Sequence, residues 1–189
     1  MIYIYFGRKF RLSVLVPLLI FLRFYSGDSV LTAAAAVIIH EAAHFTAGAA
    51  LGLKTETVTL SPLGADIKYR GVIPYKTETA VALSGPLVSI IAAFAARFIS
   101  YDFFTVSLIY GLLNLLPVPC FDGGRALNAL VFLFAPYRTA DVICSVISTV
   151  FLILLYLFSV FILFYTSFNA SLLFICAYIF VKSYIKMAN

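Results

Sequence analysis

The sequence of 189 residues has no tryptophan, three cysteines, two histidines and few charged residues. Only 11% of its residues are charged and 63% are hydrophobic, whereas a soluble domain has about 25% charged residues. This shortage of charge excludes a soluble globular protein. The cysteines lie in or next to apolar segments without paired spacing, so neither a disulfide framework nor a thiolate zinc site is indicated.

Long apolar runs fill the chain instead, and about 20 apolar residues suffice to cross about 30 Å of hydrocarbon. We predict an all-α membrane protein of about six transmembrane helices, the fourth of which is broken. Little chain remains for a separate soluble domain. The predicted spans are Leu12–Tyr25, Val30–Leu53, Thr79–Ile99, Phe103–Leu116 continuing after a break to Phe134, Val142–Tyr165 and Ser167–Ile185.

The basic residues give the orientation of these spans, because Lys and Arg collect on the cytoplasmic side of a membrane. With both termini inside, ten of the thirteen Lys and Arg residues fall in cytoplasmic segments, Arg23 and Arg97 lie outside, and Arg125 lies in the broken span. We therefore predict a multi-pass protein of the cell membrane with cytoplasmic N- and C-termini. The net charge of +5 indicates anionic lipid, and not nucleic acid, as its partner.

Thr55–Tyr75, between the second and third spans, is rich in Thr, Val and Ile and has Pro-Leu-Gly at its middle. Such a composition around a turn signal predicts a small β-hairpin at the cytoplasmic membrane face. An ordinary cytoplasmic loop is the alternative.

The two histidines, His40 and His44, flank Glu41 as H-E-A-A-H in the second span. Positions i and i+4 lie on one helix face, so two imidazoles can reach one metal ion with the Glu beside it. An ionisable residue near the bilayer centre costs about 2.5–3.5 kcal/mol on insertion scales, and a metal ion would offset that cost. A pair of hydrogen-bonded core histidines beside a neutral Glu is the alternative.

A catalytic zinc ion commonly has three protein ligands, so this pair needs a carboxylate or a thiolate as a third. Apart from Glu41, Asp122 is the one acidic residue in a predicted span. The stretch Asn114–Arg125, N-L-L-P-V-P-C-F-D-G-G-R, has prolines and glycines that must break the fourth span. Irregular backbone at membrane depth requires protein or a wet cavity around it, so the break marks a site. Cys120 is the thiolate alternative to Asp122.

These motifs resemble those of the site-2 proteases, intramembrane zinc metalloproteases with H-E-x-x-H in one span and N-x-x-P…L-D-G in a later one. The resemblance implies that His40, His44 and Asp122 ligate one zinc ion per chain. It also implies that Glu41 is the general base and that Asn114 positions or stabilises the reacting peptide. Residues 1–189 would then form a single integral-membrane protease core.

Two other stretches are similar to elements of this family. Ser84–Ser89, S-G-P-L-V-S, looks like its G-P-x-x-N element, with Ser89 where Asn is usual. Leu60–Ile67 is similar to the P-F-G-G segment of the short sporulation stage IV members, which process a membrane-tethered sigma-factor precursor. Cys120 stands where the family usually has Pro, and Phe121 where it has Leu.

The predicted function is therefore zinc endopeptidase cleavage of transmembrane or membrane-tethered proteins, with the bilayer, a membrane-protein substrate and regulatory membrane proteins as partners. A divalent-metal transporter, which would be expected to have polar residues in several spans, is one alternative. A non-catalytic scaffold, which would be expected to lack Glu41 or a ligand, is the other. Gly48 and Gly52 predict close packing of a neighbouring helix, and Arg125 is interpreted as a snorkelling cation.

Overall fold

The computed structural model describes residues 3–6, 10–13, 29–61, 64–165, 173, 176–181 and 183. The chain divides into two compact units, Met1–Leu113 and Asn114–Asn189. A single protease core over residues 1–189 stays a prediction.

Helices and one sheet make up the first unit. Its elements in chain order are β1 Tyr3–Phe6, β2 Phe10–Ser13, α1 Ser29–Ala50, β3 Thr55–Ser61, β4 Gly64–Tyr69, α2 Tyr75–Ala96 and α3 Tyr101–Asn114, whose last residue opens the second unit.

The four strands form one sheet in the order β1-β2-β3-β4. The β3–β4 pair is antiparallel, which confirms the hairpin predicted within Thr55–Tyr75. On its other side β3 pairs in parallel with β2, which pairs antiparallel with β1. These two strands were not predicted, and the all-α expectation is wrong to that extent.

The predicted first span is wrong at its start, because Leu12 belongs to β2. The alternation of apolar Phe10 and Leu12 with polar Arg11 and Ser13 has the two-residue period of a strand. The part of Leu12–Tyr25 beyond Ser13 lies outside the described residues.

The hairpin packs on the helices through the buried face of β4. Ile67 and Tyr69 alternate along that strand and form a cluster with Val81 of α2, while Lys68 between them is exposed. Leu53, Val58 and Ile73 pack around this cluster. The hairpin is therefore attached to the unit that contains both histidines.

The second unit contains the predicted break. After α3 ends, Pro117 and Pro119 interrupt the chain, and α4 begins at Asp122 and runs to Phe134. A Cβ on Gly123 or Gly124 would touch the carbonyl oxygens of Leu115 and Val118 respectively, so only glycines let α4 begin this close to the interrupted segment. The predicted helix break is confirmed, and its place in a fourth membrane span stays a prediction.

Helix α5, Tyr137–Tyr165, follows and packs against α4. Residues 173, 176–181 and 183 are also helical; the rest of the predicted sixth span lies outside the described residues. Among the described helices, α2 and α5 are long and apolar enough to cross a membrane. The number of six spans stays a prediction.

Candidate metal centre

The H-E-A-A-H segment lies in the second half of α1. His40 and His44 are one turn apart on the same face, and their Nε2 atoms are 3.2 Å from each other. Both side chains are buried, with 1% and 3% of their surface exposed. Glu41 follows His40 directly and is partly buried. The structure thus brings three of the five predicted site residues together on one helix.

The other ring nitrogen of each histidine has a partner on α2. His44 Nδ1 lies 2.8 Å from the carbonyl oxygen of Val81, and His40 Nδ1 lies 2.9 Å from the Ser89 hydroxyl. The two residues are eight positions apart on one helix, so a single packed helix orients both rings. Such outer partners orient metal-binding histidines in general.

Gly85 of α2 faces the two Nε2 atoms. A Cβ at this position would touch His44 Nε2 and lie 2.8 Å from His40 Nε2. The missing side chain therefore leaves room in front of both ligand nitrogens.

The spacing of the two nitrogens fits zinc. Bonds of about 2.0–2.1 Å in a tetrahedral site place two ligand nitrogens about 3.3–3.4 Å apart, close to the 3.2 Å between His40 Nε2 and His44 Nε2. A larger cation with oxygen ligands would not match this pair. The imidazole donors and their spacing therefore fit a zinc site.

The third predicted ligand, Asp122, lies in the second unit, whereas His40 and His44 lie in the first. Cys120, its alternative, also lies in the second unit, and its Sγ accepts a hydrogen bond of 3.4 Å from the Ser183 hydroxyl. Asp122 as the third ligand stays a prediction.

Asp122 is the first residue of α4, where the helix dipole favours a negative charge. Its carboxylate is 13% exposed, and Arg125 Nη1 lies 3.7 Å from Oδ1. Arg125 is thus an ion-pair partner of a predicted ligand, and its interpretation as a snorkelling cation stays a prediction.

Asn114, the fifth predicted residue, ends α3 and is buried, with 5% of its surface exposed. Tyr110 lies one turn earlier on the same helix, and its ring packs edge-on against the His40 ring at a centroid distance of 4.8 Å. Tyr110, one turn before Asn114 on α3, therefore packs directly against the predicted ligand His40.

Gly48 accommodates a side chain of the hairpin. A Cβ on Gly48 would touch the Tyr69 hydroxyl, which donates a 3.1 Å hydrogen bond to the His44 carbonyl. Gly52 lies beyond the end of α1 with a φ of 75°. The expectation of a helix-packing surface on these two glycines is wrong, because one makes room for Tyr69 and the other ends the helix.

Four residues around the histidines had no predicted role: Tyr69, Val81, Gly85 and Tyr110. Gly85 and Ser89 did belong to a noted motif, S-G-P-L-V-S, but nothing in its letters showed that it packs on the histidine face. The signal that could have found them is the i, i+4 spacing of Val81, Gly85 and Ser89, which places these three residues along one face of α2.

No protein-family model matches the chain. A zinc metalloprotease of Methanocaldococcus jannaschii is 32% identical over 108 residues, which are 50% of this chain and 32% of that protein. Stage IV sporulation protein FB of Bacillus subtilis is 30% identical over 118 residues, 55% of this chain and 40% of that protein. The chain thus spans about two fifths or less of the length of these relatives.

The fold is similar to a solved structure described as a site-2 protease from Methanocaldococcus jannaschii. The TM-score is 0.71, with 98% of this chain and 94% of that chain covered. The two sequences are 21% identical, so this likeness concerns the fold.

Proposed function

We propose that the chain is an intramembrane zinc metalloendopeptidase of the site-2 protease type, a proposal that its sequence similarity to two relatives and its fold similarity support. Its reaction would be hydrolysis of a peptide bond in or beside a transmembrane segment of another protein. The observation that carries this proposal is the buried pair of Nε2 atoms, 3.2 Å apart and facing the space left by Gly85.

His40, His44 and Asp122 are the proposed ligands of one zinc ion. Bound zinc would supply a Lewis acid that polarises the scissile carbonyl and lowers the pKa of water toward about 7. The Glu41 carboxylate takes the proton of the attacking water and returns it to the leaving amine. The Asn114 amide donates a hydrogen bond to the substrate carbonyl oxygen as negative charge develops there.

The hairpin is the proposed binding site for the substrate backbone. A transmembrane helix must unwind before cleavage, because its carbonyl groups already accept hydrogen bonds within the helix. An unwound segment can add as a strand to the edge of a sheet. Among the described strands β4 is an edge strand, since β3 has partners on both sides. The Tyr69 hydroxyl bond to the His44 carbonyl would then join this edge to the metal-bearing helix.

A membrane-tethered precursor of a sporulation sigma factor is the substrate class that we propose first. Two observations support it: the similarity of Leu60–Ile67 to a segment of the sporulation-type members, and the sequence match to stage IV sporulation protein FB. The regulatory partners that the sequence suggested would act at the same membrane.

Glu41→Gln is the test of this function. The amide keeps the size of the side chain but removes the base, so zinc content should equal that of the wild type while cleavage falls by about 10²-fold or more. Co-expression with tagged single-span candidate substrates, followed by zinc analysis of the purified protein, measures both quantities. Glu78→Gln, which changes a partly exposed glutamate in the first turn of α2, is the matched control and should cleave normally.

Two results would reject the proposal. Wild-type cleavage by Glu41→Gln would mean that this carboxylate is not the base. Zinc transport by reconstituted wild-type protein, together with no cleavage of any candidate, would replace the protease by the metal transporter.

A further inference from the structure

Helix α5 contains two buried serines whose hydroxyls have different partners. The Ser159 hydroxyl donates to the carbonyl oxygen of Tyr156 at 2.7 Å, within its own helix. Serine in a helix commonly does this, because the carbonyl oxygens three and four positions earlier lie within its reach. The Ser148 hydroxyl donates instead to the carbonyl oxygen of Pro117 at 2.9 Å, 31 positions earlier in the chain. Ser148 therefore joins α5 to another part of the second unit.

Pro117 lies in the break between α3 and α4, where the main chain leaves the helical hydrogen-bond pattern. Within this stretch the Val118 amide donates to the Leu116 carbonyl at 2.8 Å, and the Phe121 amide donates to the Val118 carbonyl at 2.9 Å. Neither bond uses the carbonyl of Pro117. Among the described residues, the donor to that carbonyl is the Ser148 hydroxyl.

This donor lies where water is scarce. A main-chain carbonyl without a donor is costly in a dry environment, and most of all inside a bilayer. Helix α5 is long and apolar enough to cross a membrane. Ser148 is 4% exposed, and Val118, the residue after Pro117, is 0% exposed. The Ser148 side chain thus supplies a hydrogen bond that solvent cannot readily replace.

The broken main chain also supports the start of α4. Gly124, in the first turn of α4, lies so close to the break that a Cβ there would touch the Val118 carbonyl oxygen. Gly123 lies equally close to the Leu115 carbonyl oxygen. The first turn of α4, which begins with Asp122, therefore packs directly on the main chain that Ser148 holds.

We propose that Ser148 is a positioning residue, which fixes the broken main chain from α5 and so sets the place of Asp122. This inference rests on the proposed function, in which Asp122 is a zinc ligand. A binding site must hold its side chains within about 0.5 Å of the productive geometry. A ligand that follows an irregular segment meets this requirement only if the segment itself is held. Ser148 acts through the Pro117 carbonyl and not by coordination.

The first experiment compares the zinc affinity of purified full-length variants by chelator competition. Ser148→Ala removes the donor and should bind zinc about 10-fold more weakly than the wild type, the lower end of the loss caused by removing an outer support of a metal ligand. Ser148→Thr keeps the hydroxyl and should bind zinc as tightly as the wild type. Ser159→Ala removes a buried hydroxyl that is bonded within the same helix, and this matched control should have unchanged affinity.

A second experiment asks whether Ser148 acts through Asp122. Asp122→Ala alone should weaken zinc binding, and the addition of Ser148→Ala should weaken it no further, because the positioned ligand is already gone. Two independent changes would instead multiply their losses. A further loss of about 10-fold in the double variant would overturn the inference, since Ser148 would then not act through this ligand.

Hydrogen exchange of the metal-free protein tests the same support without zinc. The amides of Phe121 and Arg125 donate hydrogen bonds in the break and in the first turn of α4. Peptides that contain them should exchange faster in Ser148→Ala than in the wild type, because local opening becomes easier. Unchanged exchange would overturn the inference. Faster exchange throughout the chain would overturn it as well, since the hydroxyl would then support the whole fold and not the break.

These results separate two kinds of failure. Full zinc affinity in Asp122→Ala would remove the proposed set of ligands and this inference with it. Weakened binding in Asp122→Ala beside unchanged binding in Ser148→Ala would leave the proposed function intact and remove only the role of Ser148. A loss in Ser148→Thr or Ser159→Ala equal to that in Ser148→Ala would also remove that role, because the bond to Pro117 would not be its cause.

Discussion

Asp122 differs from the two histidines in how its side chain is held. Arg125 Nη1 lies 3.7 Å from the Oδ1 atom of this carboxylate. The N-terminal position on α4 and the arginine both place positive charge beside this side chain.

Asp122→Ala should therefore lower both zinc affinity and cleavage. We expect zinc affinity to fall by about 100-fold or more, because a direct ligand contributes more than an outer partner, whose loss alone costs about 10–100-fold. Zinc analysis of the purified variant measures this loss. The exposed Asp141→Ala is the control and should bind zinc normally. Full zinc occupancy in Asp122→Ala would return Cys120 to consideration as the third ligand.

Asn114→Ala should give the opposite pattern: zinc content unchanged and a cleavage rate about 10²–10³-fold lower, because the proposed amide acts on the transition state and not on the metal. Single-turnover cleavage beside a zinc measurement distinguishes the two residues. A loss of zinc in Asn114→Ala would make this residue part of the metal site.

Gly85→Ala tests the space in front of the histidines. The added methyl group would occupy the position next to both Nε2 atoms, so zinc binding should be lost. The helix itself should not suffer, because alanine favours a helix over glycine by about 0.5–1 kcal/mol. Circular dichroism measures the helix content of the variant, and zinc analysis measures its metal content. A variant that still binds zinc would show that α2 can move away from α1.

At this scale the sequence predicted what a single helix determines. The spacing of His40, Glu41 and His44 fixes their common position on α1, whatever packs around them. The contacts of Val81, Gly85 and Ser89 depend on how α2 lies against α1, and this packing joins residues about 40 to 50 positions apart. No local pattern specifies such a contact.

At the scale of elements, β4 pairs with β3 on one side and with no other strand among the described residues. The Arg70 amide donates to the Lys54 carbonyl at 2.8 Å, which directs it toward the β3 side. Amide directions alternate along a strand, so Lys68 shares this direction while the amides of Ile67 and Tyr69 face away from β3. These two amides are the donors that an added substrate strand would use.

Ile67→Pro removes one of these outward donors and should reduce cleavage about 10-fold while zinc binding persists, since a lost hydrogen bond is typically worth about 0.5–1.5 kcal/mol. Ile67→Ala is the matched control, because it removes the packed side chain but keeps the amide. Equal cleavage by the two variants would mean that the amide has no role. Val58 is the poorer position for this test, because it pairs with both β2 and β4 and proline there would disrupt the sheet.

The sequence predicted this hairpin but not β1 and β2. The hairpin has a turn signal between two β-rich runs, and it is bounded by helices of clear composition. Phe10–Ser13 is only four residues long and leads into an apolar stretch, so its composition equally suits the start of a membrane span. The pairing of β2 with β3 joins segments about 48 positions apart, and only the folded chain shows it.

At the scale of the whole molecule, the predicted orientation can be tested with the exposed residues at the helix ends. Arg97 follows α2 and should lie on the outer face of the cell membrane. Lys76, near the start of α2, should lie on the cytoplasmic face. In a chain whose three cysteines are replaced, a membrane-impermeant maleimide added to intact cells should label Arg97→Cys and not Lys76→Cys. The reverse labelling would invert the predicted orientation.

The helical content could be predicted for the molecule as a whole because it follows from the length of the apolar runs. The helix break could be predicted because it follows from the prolines and glycines around it. The division at Leu113 and Asn114 has no such signal, since it falls where α3 is still continuous.

The near-complete burial of His40 and His44 also bears on how fast an ion could enter or leave. With 1% and 3% of their surfaces exposed, the two rings are closed to solvent in this structure, so both water and a metal ion would reach the ligand nitrogens when a neighbouring element moves. Exchange of bound zinc would then follow the rate of that movement and not the chelator concentration. A chain inserted into the membrane during zinc starvation would regain its ion slowly, and the supply of metal at the time of synthesis would set the active fraction.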